Sequence, residues 1–111
     1  MSRRRFAVAW TQVALGDLER LASYLAADAP LRAEDMLTRI ITRAESLEFS
    51  PHRGRLPPEL RAIQERSWRE VQEPPWRIIY WISRATVEIH GILDGRRSLQ
   101  DILMERLLNA E

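Results

Sequence analysis

Phe6, Val8 and Trp10 alternate with Ala7 and Ala9. A period of two predicts a strand, and because both of its faces are apolar or small it predicts a well-buried one. Thr11 then stands where a helix cap is expected. Past it the period changes. Ala14, Leu18, Leu21, Ala22 and Leu25 recur at spacings of three and four and form one apolar stripe. Gly16 weakens that helix by roughly 1 kcal/mol relative to alanine. The run from Ala26 to Pro30 interrupts the pattern, and Pro30 suits the first turn of a second helix. There Ala33, Leu37, Ile40, Ala44 and Leu47 make the stripe, with Arg32, Glu34, Arg39, Arg43 and Glu45 on the other side. Ser50-Pro51 closes the helix. Two amphipathic helices with a short break between them predict an antiparallel hairpin, whose stripes need an apolar partner.

The strands supply that partner. Residues 51–66 read as a long irregular segment, with a single helical turn possible at Pro58-Glu59-Leu60. Trp68 to Gln72 reads as a second strand, and Pro74-Pro75 as a turn that cannot lie inside a sheet. Trp76 to Ile82 and Thr86 to Leu93 are β-rich runs joined by Ser83-Arg84-Ala85, the pattern of a hairpin. Ser98 with Asp101 resembles a capping box ahead of a final helix whose apolar side is Leu99, Ile102, Leu103 and Leu107. The order is βααβββα in one domain over residues 1–111. The expected class is α+β, with a helical hairpin packed on one face of a small, mainly antiparallel sheet and a C-terminal helix.

Alternation also sorts the strand residues by face. Ile78, Tyr80, Ile82, Val87, Ile89 and Leu93 form the better core and are expected beneath the helical hairpin. Arg77, Ile79, Trp81, Glu88, His90 and Ile92 share the other face. A mixed face that carries a Trp and an Arg has the make-up of a partner-binding surface. The competing expectation is that the C-terminal helix folds across it and buries Trp81.

Composition narrows the function classes. With no cysteine there is no disulfide, thiolate ligand or cysteine nucleophile. No stretch approaches the roughly 20 apolar residues of a membrane helix, and the apolar run after Arg3-Arg4-Arg5 is too short for a secretory signal. No glycine-rich phosphate loop, metal-binding histidine pair or cofactor motif is present. Every basic residue other than histidine is arginine, which a GC-rich genome explains most simply and which also suits bidentate phosphate contacts. The net charge of +1 is low for a dedicated nucleic-acid binder. The charge is uneven, however: residues 49–97 carry 9 Arg against 6 acids, and residues 98–111 carry 1 against 3. Metal-independent ribonuclease chemistry would need cations for the phosphate and groups that move protons. Arg77, Arg96 and Arg97 could serve the first need, and His90 or Glu70 the second. The bland reading of the same residues is a strand histidine and a cross-strand ion pair.

An ordered series of short motifs runs through nearly the whole chain. It comprises Trp10-Thr11, Asp17-Leu18, Tyr24-Leu25-Ala26, Pro51-His52-Arg53-Gly54-Arg55, Arg69-Glu70-Val71, Trp76-Arg77-Ile78-Ile79-Tyr80 and Asp94-Gly95-Arg96-Arg97. The series resembles the RelE/ParE superfamily of toxins from bacterial toxin–antitoxin pairs. That resemblance implies a small cytoplasmic toxin without cofactor or metal, neutralised by a cognate antitoxin whose C-terminal segment wraps it. RelE-like members look like ribosome-dependent messenger-RNA endonucleases, and ParE-like members like inhibitors of DNA gyrase. Arg77 matches a strand arginine that the ribonuclease branch uses on phosphate. That branch also tends to place a Tyr or His shortly after the arginine pair, where this chain has Ser98-Leu99-Gln100. The ParE-like reading is therefore favoured, with DNA gyrase as target, Arg96 and Arg97 contacting it, no favoured catalytic residue and no recognition of DNA sequence. The alternatives are an endonuclease acting on ribosome-bound messenger RNA through Arg77, Arg96, Arg97 and His90, or a degenerate toxin without activity. The antitoxin is expected on Arg77, Ile79, Trp81, His90 and Ile92, with apolar anchors against Trp81.

Overall fold

The computed structural model describes residues 4–63 and 67–95. The expected C-terminal helix, together with Arg96 and Arg97, lies outside them. Strand β1 (Ala7–Trp10) leads into helix α1 (Gln12–Asp28) through Thr11. The Thr11 hydroxyl accepts the Ala14 N–H at 3.1 Å and donates to the Ile89 carbonyl at 3.1 Å. One side chain thereby caps the helix and ties its start to the sheet. Helix α2 (Ala33–Glu45) has Glu34 and Asp35 in its first turn and Arg43 in its last, charges that complement the helix dipole. It ends two residues before Leu47, which is buried in a 3₁₀ turn at Ser46–Glu48. Ser50 then adopts a left-handed conformation, φ 53°, and a second 3₁₀ turn follows at Pro51–Arg53.

Strands β2 (Trp68–Glu73), β3 (Trp76–Ile82) and β4 (Thr86–Asp94) form the expected antiparallel meander. The sheet order is β1-β4-β3-β2, with β1 parallel to β4. Together with the two helices this is the α+β arrangement predicted from the sequence. The first strand departs from expectation. Ala7 and Ala9 are exposed and Val8 and Trp10 half-buried, because β1 is an edge strand covered on one face only.

The main core joins Ala14, Leu21 and Leu25 of α1 and Ile40 and Ala44 of α2 to Ile78, Tyr80, Val87 and Ile89 of the sheet. Strict alternation fails once, and the failure matters. Tyr80 pairs with Ile89 but Ile79 pairs with Gly91, so His90 is an extra residue in β4. A bulge of this kind reverses the facing of everything beyond it. Ile92 lies opposite Ile78 in the core under the helices, and Leu93 lies opposite Arg77 and packs with Ile79 on the other face. The assignment of Ile92 to the mixed face and of Leu93 to the main core is thus corrected.

Beyond Trp10, β4 has no strand neighbour on the β1 side among the described residues. There the buried Asp17 carboxylate of α1 accepts the Ile92 N–H at 3.0 Å and pairs with Arg20 at 2.6 Å. An edge amide that would otherwise be buried without a partner is satisfied by a side chain from the covering helix. Among the described residues no helix is long and apolar enough to cross a membrane.

Candidate functional site

The sheet face away from the helices divides into two ends. At one end Leu60, from the 3₁₀ segment Pro58–Ile63, packs with Trp68 on Ile79 and Leu93. This segment begins where the single turn was expected, and it brings Glu59 over Arg77. Arg77 is 5% exposed and Glu70 is 1% exposed. Arg77 Nε donates to Glu70 Oε1 at 2.6 Å, and Nη2 donates to Glu70 Oε2 at 3.2 Å. Its outer side donates to both Glu59 oxygens, at 2.9 and 3.0 Å. Arg55 Nε donates to Glu70 Oε2 at 2.9 Å and completes an alternating chain, Glu59–Arg77–Glu70–Arg55. The hydrogen bond to Glu59 is the largest influence raising the Arg77 pKa. Burial opposes it, and Glu70 adds to the rise. The guanidinium is therefore a permanent cation whose fork is filled by two carboxylates.

The same network fastens the loop before β2. The Arg55 N–H donates to the Glu70 carbonyl at 3.0 Å and the Glu70 N–H to the Arg55 carbonyl at 2.8 Å, a single bridge on the outer edge of β2. Gly54 lies against the Tyr80 hydroxyl, which donates to the Pro51 carbonyl at 2.5 Å. Burial pushes the Tyr80 phenol up to about 12, against the opposing effects of the Gly54 backbone and of Arg53 and Arg69. Arg69 donates to the Gly54 carbonyl at 3.2 Å. Arg53 spends both terminal nitrogens on Ser46 and Phe49. The motif Pro51-His52-Arg53-Gly54-Arg55 is thus largely a clamp between loop and sheet.

The other end of the face is aromatic. Trp68 meets Trp81 edge-on at 5.1 Å between centroids and His90 at 4.8 Å. His90 Nε2 lies 3.1 Å from Glu88 Oε1. Trp81 is half-buried, so it retains surface for a partner. Of the residues expected on this face, Arg77, Ile79, Trp81 and His90 share it, but Arg77 and Ile79 are buried and Ile92 has left it. The sequence does not single out Glu59 as a partner of Arg77 or Arg55 as a partner of Glu70. Their charge and their place in a loop ahead of an Arg-bearing strand were the only signals. Among the described residues no group of three or more His, Asp or Glu could hold a metal ion.

Comparison with known proteins bears on this arrangement. The family described as ParE toxin of type II toxin-antitoxin system, parDE, matches residues 8–99. The chain belongs to the ParE toxin family. It is therefore the toxin of a type II toxin–antitoxin system, and a cognate antitoxin is its partner. The toxin is 37% identical over 91 residues to Toxin RelE2 of Caulobacter vibrioides, covering 81% of this chain and 96% of that protein. Among solved structures it is similar to the chromosomal ParDE TA system from P. aeruginosa, with a TM-score of 0.67 and 16% identity over 82% of this chain and 97% of that one. At that identity the likeness speaks for the fold of the toxin alone.

Proposed function

We propose that the toxin inhibits DNA gyrase in the cytoplasm, contacts it through Arg96 and Arg97, and is silenced by an antitoxin docked at the Trp81 end of the open sheet face. The observation that supports this over RNA cleavage is the state of Arg77. A strand arginine that stabilised a scissile phosphate would need its guanidinium fork open, and Glu59 and Glu70 fill it. His90 is turned toward Trp68 and Glu88. General acid–base groups contribute about 10²–10⁴ in rate, so their misplacement would be felt. Purified toxin is expected to inhibit supercoiling or trap cleaved DNA, to leave ribosome-bound messenger RNA uncut, and to lose its effect when the antitoxin is added. Codon-specific cuts in a translation reaction, abolished by Arg77→Ala while gyrase stays active, would replace this reading with the endonuclease. That second reading draws on the RelE name of the Caulobacter relative and on the strand position of Arg77.

The docking surface has its own test. Trp81→Ala is expected to weaken the antitoxin complex by roughly 2 kcal/mol, the scale of an interface hot spot. Titration calorimetry on the folded variant reads this directly. Unchanged affinity would mean that Trp81 serves only to pack on Trp68.

A further inference from the structure

Away from the sheet face, two adjoining cavities of about 360 and 330 Å³ run from the outer edge of β2 along the C-terminal half of α2. Arg43 lines both. Arg53 and Arg55 line the first, and Thr38, Arg39 and Thr42 the second. Three of these arginines are held in the same way. Arg39 Nε lies 3.1 Å from Asp35, Arg43 Nε 3.4 Å from Glu73, and Arg55 Nε 2.9 Å from Glu70. In each case the internal carboxylate takes Nε, and the two terminal nitrogens make no hydrogen bond among the described residues. For Arg43 and Arg55 the guanidinium is aimed from behind by a largely buried carboxylate and the outer fork is left for an external oxyanion, whereas the Arg39 pair with Asp35 lies at the surface.

The balance of accessible charge favours an anion. The Glu70 side chain has no exposed surface and that of Glu73 is 19% exposed, whereas those of Arg43 and Arg55 are 45% and 50% exposed. A ligand at Arg43 and Arg55 therefore meets mainly the cations, while at Arg39 it also meets Asp35, whose side chain is 67% exposed. Of the described lining residues only Gly54 and Val71 are apolar, so a protein segment would find few anchors there for hot-spot packing. Arginine forks and threonine hydroxyls are the groups that hold backbone phosphates.

We propose that this groove binds the phosphodiester backbone of a nucleic acid, without reading its sequence, through Arg39, Arg43 and Arg55. The inference does not depend on which target the toxin poisons. It implies weak, salt-sensitive binding, in keeping with the low net charge. Fluorescence anisotropy of the full chain with a short labelled DNA duplex tests it, with a single-stranded RNA of equal length as the second arm. For three phosphate contacts the slope of log K against log salt is expected near roughly −2.7 on duplex DNA. Arg43→Ala should reduce its magnitude by about 0.9, and the pair Arg39→Glu and Arg43→Glu should remove binding. Arg84→Ala, in the β3–β4 turn, should change nothing. The Arg39 pair is a surface one and Arg43 is itself 45% exposed, so their variants are expected to fold, which circular dichroism of each checks. Binding of both polymers, or of either alone, that weakens in the Arg39 and Arg43 variants supports the groove and tells which nucleic acid it prefers. Three results would overturn the proposal: no binding at low salt, a slope indifferent to Arg39 and Arg43, or binding of polyglutamate in place of either polymer.

Discussion

Glu70→Ala is expected to cost about 3–5 kcal/mol of folding stability, the loss measured when one partner of a buried ion pair is removed. Glu70 holds Arg77 at two nitrogens and Arg55 at a third, with its own side chain out of water. Deleting the carboxylate removes two of the hydrogen bonds that hold the buried Arg77 guanidinium, while the pair with Glu59 remains. Arg55 reaches solvent and can recover part of its hydration. Since the whole stability of a domain this size is about 5–15 kcal/mol, urea denaturation should place the variant close to unfolding. The charge itself is not what the fold requires. Replacing Glu70 and Arg77 together, with Glu70→Leu and Arg77→Met, should recover part of the loss, because the charges buried in the sheet go together while Glu59, 22% exposed, loses its arginine. A Glu70→Ala variant within about 1 kcal/mol of the parent, the range of a surface ion pair, would show that the network carries little stability.

Gly54→Ala is expected to be nearly as damaging, at about 3 kcal/mol, from overpacking and a lost buried hydrogen bond together. Backbone strain is not the reason, since Gly54 has an ordinary φ of −67°. An added Cβ would fall on the Tyr80 hydroxyl and 2.8 Å from the Glu70 carbonyl. The carbonyl cannot yield, because it accepts the Arg55 N–H that bridges loop to strand. Tyr80 would have to move and release Pro51. Tyr80→Phe alone should cost only about 1 kcal/mol, one net hydrogen bond. Thermal unfolding of the two variants separates the effects. Equal losses would mean that the hydroxyl contact, and not the space at residue 54, is what the glycine protects.

Both results concern contacts between the 51–60 segment and the sheet, and these were the contacts hardest to anticipate. The period of the apolar residues reports local geometry, so it was enough to place two helices, the meander, the helix-facing stripe through Ile78, Tyr80, Val87 and Ile89, and the Thr11 cap. The ordered motifs were enough to assign the toxin family. An extra residue in a strand leaves no mark on local period. It is defined by the pairing of β4 with β3, and only the assembled sheet reveals that His90 is the extra residue, moving Ile92 beneath the helices and Leu93 to the other face. Ion partners are likewise a property of distance in space. Arg77 could be recognised as an arginine in a strand, but Glu59, 18 residues earlier, reaches it only because the Pro58–Ile63 turn folds over that face. Whether a cation is open to a ligand or already occupied is decided where such segments meet, since each carboxylate that arrives from elsewhere in the chain fills the fork that a phosphate would otherwise enter.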